Sequence, residues 1–374
     1  MRLNSRSGTA ITARTSGVVY RVSVAVVVPL LLACAVEAPA ARSTGISDKI
    51  ASEPMVDTIA FFEAFDVVSS LTLEETDAVV TVAPRITADR TGELLVADPQ
   101  EGQVRIYDRD GSLKAVLGRR GGGPGEFQRP MSARRTTDRR IVVADPMLSR
   151  VTFLSGTADS LTTVTSPVRM LVDVQDLGDG RFLFAGPGAG DGPAHRFLHI
   201  WDAETGRVER SFLPMGVPEQ DRDVAASFAG VSVVLEADTI WAVWALSDTL
   251  YKFNSGGELL GLLPLPLARQ MGPLPTIDDL VAGYAEMGAA LGSITQVGDV
   301  FITEGGDFVI QSVQSRGLTF ECDLVIMDRF GQPQLQLIGS PRLFLVDGDL
   351  YYFDDPATLL PNRLLVVRRR VADR

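Results

Sequence analysis

Few side chains in this sequence could do chemistry, and the clearest of them are carboxylates placed ahead of proline. Asp98 and Asp145 precede Pro99 and Pro146, and Asp354 and Asp355 stand just before Pro356. Converging on one opening, Asp98, Asp145 and Asp354 would offer oxygen-only ligands of the kind that suits Ca²⁺. A structural reading competes. An Asp before proline starts a turn and its carboxylate caps nearby backbone N–H groups; recurrence at equivalent places is also what a repeated corner would show. No other cofactor is expected.

The remaining candidates are sparser. The two histidines, His195 and His199, lie four apart, so a strand would point both to one face. That permits a metal pair, but a complete site needs further ligands that the sequence does not pick out. Two exposed strand histidines are the simpler expectation. Gly-x-Ser-x-Gly is absent and neither histidine has an obvious partner, so a Ser-His-Asp hydrolase has no support. Residues 118–130 (Gly-Arg-Arg-Gly-Gly-Gly-Pro-Gly-Glu-Phe-Gln-Arg-Pro) could pass for a phosphate cradle. A P-loop, however, closes with Gly-Lys-Ser/Thr, and here Gly125 is followed by Glu126. The glycines suit a sharp turn at positive φ instead. Trp241 and Trp244, three apart on a strand, face opposite sides; at least one belongs to a core, and the other could stack on a sugar. Cys322 reads as a small core residue in a strand.

What must position these groups is a repeat. Leu94-Leu95-Val96-Ala97-Asp98-Pro99 returns 47 residues on as Ile141-Val142-Val143-Ala144-Asp145-Pro146, and Val104-Arg105-Ile106 aligns with Val151-Thr152-Phe153 at the same offset. Each copy holds short apolar runs, such as 93–97, 104–107 and 113–117, punctuated by Gly, Pro and Asp, which is the pattern of an antiparallel meander. A unit of about 40–45 residues with four strands is one propeller blade. Matching strands start at Leu94, Ile141, Phe182, Ile240, Phe308 and Leu350, with two of the spacings lengthened by insertions. The expected fold is all-β, a six-bladed β-propeller of four-stranded antiparallel blades over residues 55–374. The last unit has room for about three strands. The apolar segment 58–68, which precedes the first complete blade, is expected to add the missing outer strand and cover an otherwise open edge.

Residues 118–130 followed by Ile141-Val142-Val143-Ala144-Asp145 resemble the NHL repeat, in which a Gly-rich turn, an aromatic and a proline lead into a strand ending in Ala-Asp. The chain also resembles bacterial exported six-bladed propellers of NHL type. The resemblance implies fold and address but little chemistry. Lyases of NHL type use a histidine-rich zinc site in the channel, which two histidines on one strand cannot supply. Lactonases of the senescence-marker type hold calcium with channel Glu, Asn and Asp, whereas Asn254 and Asn362 are the only asparagines beyond the leader.

Residues 1–33 carry Arg2, Arg6, Arg14 and Arg21 ahead of the apolar run 22–32 and contain no acidic residue. That is a secretion signal, too short for a membrane span. Leu31-Leu32-Ala33-Cys34 resembles the lipobox of bacterial lipoproteins, which implies lipidation at Cys34; cleavage at Ala33-Cys34-Ala35 is the alternative. Residues 34–54 suit a flexible tether. Removing the four arginines takes the formal net charge from −12 to −16, which argues against nucleic acid and anionic lipid as partners. Contact with a membrane is expected only through the N-terminal anchor, in a periplasmic or outer-membrane lipoprotein.

Between the fourth and fifth units, residues 274–292 read as a helical insertion. Thr276 is a cap, Asp278 and Asp279 fall in the first turn, and Leu280, Tyr284, Met287 and Leu291 follow helical spacing. It would be a lid packed on a blade edge or a gate for a ligand. The expected function is non-catalytic: binding of a protein, peptide or glycan at the channel face, in the cell envelope. A Ca²⁺-dependent hydrolase or lactonase at the central channel is the alternative, and the sequence does not decide whether the chain is an enzyme.

Overall fold

The computed structural model describes residues 58–75, 85–155, 161–168, 170–188, 196–228, 230–276, 278, 289–316, 319–357 and 362–370. These form six four-stranded antiparallel sheets, and the chain is a six-bladed β-propeller. A short helix, α1 (Thr58–Ala64), leads into β1 (Phe65–Thr72). Blade 1 is then β2 (Arg85–Ala88), β3 (Leu94–Asp98), β4 (Gln103–Tyr107) and β5 (Leu113–Leu117). Blade 2 comprises β6 (Ser132–Arg135), β7 (Ile141–Asp145), β8 (Arg150–Leu154) and β9 (Leu161–Thr165). In blade 3 the strands are β10 (Asp173–Gly178), β11 (Arg181–Ala185), β12 (Arg196–Asp202) and β13 (Arg207–Pro214). After helix α2 (Arg222–Ser227), blade 4 follows as β14 (Val231–Glu236), β15 (Thr239–Trp244), β16 (Thr249–Asn254) and β17 (Leu259–Pro264). Blade 5 is β18 (Thr295–Ile302), β19 (Phe308–Arg316), β20 (Thr319–Met327) and β21 (Pro333–Ser340); blade 6 holds β22 (Leu343–Asp347), β23 (Leu350–Asp354) and β24 (Arg363–Arg369).

The six strand starts read from the sequence fall on β3, β7, β11, β15, β19 and β23, each the second strand of its blade. They are not innermost. That position belongs to β2, β6, β10, β14, β18 and β22, which line the central channel. The second strands were the visible ones because blades pack against them from both sides. Every residue of β3 and of β7 is buried, so Leu-Leu-Val-Ala-Asp and its copy read as continuous runs rather than alternating ones.

The ring closes by strand exchange between its ends. β1 pairs antiparallel with β24, from Phe65 opposite Arg369 to Thr72 opposite Arg363, and so supplies the outer strand of blade 6. The expected strand over 58–68 is corrected in its bounds, since Thr58–Ala64 is helical and the strand begins at Phe65. Phe61 and Phe65, four apart, both turn inward onto Phe353, with ring centroids 4.9 and 5.5 Å away. Leu73 N–H donates to Asn362 O at 2.8 Å, and Asn362 Nδ2 donates back to Leu73 O at 3.0 Å.

The core is divided among the six seams. Phe127 and Leu95 meet Ala133 and Val143 between blades 1 and 2. Phe153 meets Phe182 edge-on between blades 2 and 3, and Phe197 stacks on Trp244 between blades 3 and 4. Trp241 meets Phe308 at 4.8 Å between blades 4 and 5. The two tryptophans thus serve opposite seams of one strand. Around the insertion, Leu291 and Ile294 pack on Val224 and Phe228 of the α2 segment. Asp278 and residues 289–292 are helical; the remainder of the expected insertion helix, with Tyr284 and Met287, lies outside the described residues.

Candidate functional site

The first strands of all six blades enclose a channel cavity of about 330 Å³. Near the axis the seams are clasped by polar contacts rather than apolar ones. Thr87 Oγ1 donates to Ala133 O at 2.7 Å, Gln175 Nε2 to Val233 O at 2.7 Å, and Val300 N–H to Ser232 Oγ at 2.9 Å. Gln311 both donates to Leu343 O and accepts from Leu343 N–H, at 2.9 and 2.8 Å.

One layer of the channel is ionic. Arg134 on β6 donates through Nε and Nη2 to the two oxygens of Asp173 on β10, at 3.0 and 2.9 Å, a bidentate pair. Arg85 on β2 reaches two blades at once. Its Nη2 donates to Asp299 Oδ1 at 2.9 Å, and its Nη1 lies 2.9 Å from Asp173 Oδ2, within ion-pair distance but off the line of a hydrogen bond. Gln175 Nε2 adds a third donor to Asp173 at 3.1 Å, and Val174 N–H a fourth at 3.0 Å. Asp173 is wholly buried. Burial alone would push its pKa up, but Arg134 and Arg85 outweigh burial and bring it down to about 2. Burial likewise works against the Arg85 cation, and Asp173 and Asp299 more than compensate, leaving its pKa raised. Past this layer the wall also carries the apolar residues Val234, Leu235, Phe301, Ile302 and Val346.

The three carboxylates singled out by sequence lie elsewhere. None lines the channel cavity. Asp98 ends β3 and caps its own turn, accepting from Gln100 and Glu101 N–H at 3.0 Å, while Oδ2 lies 3.5 Å from the equally buried Arg105. Burial raises its pKa against these contacts. Asp145 ends β7 and accepts from four backbone N–H groups: Met147 and Leu148 in its own turn, Gln128 and Arg129 in the Gly-rich loop. The repeated Asp is therefore occupied as a corner, once by its own turn and a guanidinium, once as the dock for the preceding loop. Asp354 ends β23, partly buried; burial lifts its pKa to about 6, with Arg342 opposing and Asp355 reinforcing the rise. Asp355 pairs with Arg363 at 3.0 Å.

The other candidates are also accounted for. Glu126 turns back to accept from Gly123 N–H at 2.8 Å and pairs with Arg119, so its carboxylate already engages an N–H and a guanidinium that a phosphate would use. Gly118 sits at φ +76°, where a Cβ would fall 2.4 Å from the buried Phe127 ring. His199 is buried, not exposed as expected. Nε2 meets Gly186 O at 3.1 Å and Nδ1 meets Ser211 Oγ at 2.8 Å. A carbonyl only accepts, so Nε2 carries the proton and Nδ1 accepts from the hydroxyl. Burial lowers its pKa, keeping the ring neutral. His195 and Cys34 lie outside the described residues. Cys322 is buried in β20 with its thiol pushed up to about 12 by burial. Among the described residues no group of three His, Cys, Asp or Glu side chains is placed to hold a metal ion.

The channel charges Arg85, Arg134, Asp173 and Asp299 escaped the sequence reading. Their signal is faint: a short strand-compatible stretch with a charge in it, such as Arg85-Ile86-Thr87-Ala88, just upstream of each turn into a second strand.

Comparison with known proteins agrees with this architecture. The DUF5128 family model, described as a 6-bladed beta-propeller, matches residues 40–218. No curated protein matches the chain. Among solved structures, a protein of Bacteroides fragilis described as exported is 13% identical with a TM-score of 0.58, over 83% of this chain and 96% of the other. A member of the duf4221 family from Bacteroides vulgatus is 11% identical with a TM-score of 0.60, over 82% and 97%. Virginiamycin B lyase of Staphylococcus aureus is 10% identical over 81% and 99%, with a TM-score of 0.46 that is too low to bear on activity. At such identities the likeness is one of fold.

Proposed function

We propose that this protein is a non-catalytic binding propeller of NHL type, exported and held at the cell envelope by a lipid on Cys34, which engages a protein, peptide or glycan at its channel face. The observation that carries the binding reading is the charge-balanced layer inside the channel. Two guanidiniums and two carboxylates neutralise one another there. With its pKa near 2, Asp173 stays ionised and hydrogen-bonded at neutral pH, so it is a poor proton donor or base. Such a layer is suited to recognising charge in a ligand. The address rests on the leader and lipobox-like residues 1–34; no helix among the described residues is long and apolar enough to cross a membrane.

A Ca²⁺-dependent hydrolase at the channel is the competing reading. The carboxylates the sequence offered it, Asp98 and Asp145, lie off the channel, and their oxygens are already engaged by backbone N–H groups. Metal analysis of the mature protein, with melting followed before and after chelation, separates the two. The binding reading predicts no stoichiometric Ca²⁺ and an unchanged Tm; one Ca²⁺ per chain with a fall in Tm on chelation would favour the hydrolase.

A further inference from the structure

What the ionic layer leaves open defines the charge pattern of a ligand. Arg134 uses Nε and Nη2 on Asp173, and its Nη1 has no partner among the described residues. Asp299 accepts from Arg85 through Oδ1 alone, leaving Oδ2 unmatched among them. Both side chains reach the cavity, 29% and 22% exposed, whereas Asp173 beneath them is fully covered. An open donor on blade 2 and an open acceptor on blade 5 therefore line the same space.

The layer itself is formally neutral. A lone anion or lone cation seated on it would leave an uncompensated charge in a partly desolvated site, which is costly. A ligand carrying both signs adds no net charge and can satisfy both open groups. Beyond the charges the lining is mixed: Thr87, Gln175 and Ser232 are buried polar residues, and Val234, Leu235, Phe301, Ile302 and Val346 present the partly exposed edges of side chains packed in the blade seams. At about 330 Å³ it lies at the small end of ligand pockets, roughly 300–1,000 Å³.

We propose that the channel binds a small zwitterion with an apolar body, a free apolar amino acid or a short apolar peptide. Its carboxylate meets Arg134 Nη1, its ammonium meets Asp299 Oδ2, and its side chains lie against Phe301, Ile302 and Leu235. This rests on the reading of the channel as a binding site and narrows the ligand class.

The test is calorimetric titration of the mature chain with leucylleucine, free leucine, N-acetyl-leucylleucine and leucylleucinamide. Leucylleucine or leucine is expected to bind saturably at one site per chain, the tighter of the two identifying peptide or free amino acid as the source. Each blocked dipeptide is expected to bind at least tenfold more weakly than leucylleucine. In Asp299→Asn, leucylleucine and its acetylated form should bind alike; in Arg134→Gln, leucylleucine and its amide should. Arg134 also holds Asp173, so if Arg134→Gln fails to fold, the ligand series on the unaltered chain and Asp299→Asn still decide. Blocked forms that bind as tightly as leucylleucine would overturn the zwitterion while leaving a channel ligand of another charge standing. Absence of saturable binding by both zwitterions would overturn it outright.

Discussion

Arg85 and Asp173 belong to the first strands of blades 1 and 3, and their side chains approach to 2.9 Å inside the channel. With Arg134 and Asp299 they join blades 1, 2, 3 and 5 through one ionic layer. The contact makes four of the six channel strands one electrostatic unit rather than separate strand edges. Its consequences for stability and binding can be measured separately.

Asp173→Asn should cost about 2–4 kcal/mol, because it leaves the half-buried guanidiniums of Arg134 and Arg85 without the carboxylate they share, Arg85 keeping only Asp299. The pH dependence gives a second readout. The Asp173 pKa falls from 3.8 to about 2 on folding, so its contribution is complete above pH 4 and is lost as pH drops through about 2. That amounts to roughly 2 kcal/mol. Chemical denaturation between pH 5 and pH 2 should show this loss in the unaltered chain and a shallower slope in Asp173→Asn.

Asp354→Asn should act in the opposite sense. A carboxyl whose pKa rises on folding, here from 3.8 to about 6, favours the fold below pH 4 and loses that contribution as pH climbs through about 6. The variant should therefore be more stable than the unaltered chain at pH 7, by roughly 1–3 kcal/mol, and no more stable at pH 4. Paired melting curves at the two pH values check the sign.

Ring closure depends on β1. Phe65→Ala removes a ring packed against Tyr351 and Phe353 and should cost about 3–5 kcal/mol. Deleting residues 50–70 removes most of the strand that pairs with β24 and should collapse thermal stability. An unchanged melting curve after that deletion would show that the ring closes without it.

Much of this architecture was legible in the sequence, for a physical reason. β3 and β7 are sandwiched between neighbouring blades, so both are apolar up to their terminal Asp and their resemblance at an offset of 47 is conspicuous. The channel strands are different. Ser132-Ala133-Arg134-Arg135 and Arg85-Ile86-Thr87-Ala88 carry the charges that face the axis, which breaks the apolar run that would mark a strand. The partners of those charges are also remote; Arg85 and Asp299 are 214 residues apart in the chain. Only closure of the ring brings them together. Asp98 and Asp145 were visible because corners repeat, and for the same reason they say little about a ligand.

Asp145→Ala tests that corner directly. It strips the acceptor from four backbone N–H groups, two of them in the loop between blades 1 and 2. A loss of about 2–4 kcal/mol is expected on chemical denaturation, with no change in Ca²⁺ affinity by titration. A Ca²⁺ affinity that falls in Asp145→Ala would return this residue to a metal site.

On the function proposed above, the channel holds a ligand by its charges and does not transform it. A crystal structure of the mature protein soaked with leucylleucine tests this most directly. It should show an uncleaved dipeptide in the channel, carboxylate on Arg134 and ammonium on Asp299, with its side chains against Phe301 and Ile302. A channel left empty at saturating ligand, or one holding cleaved leucine, would contradict it.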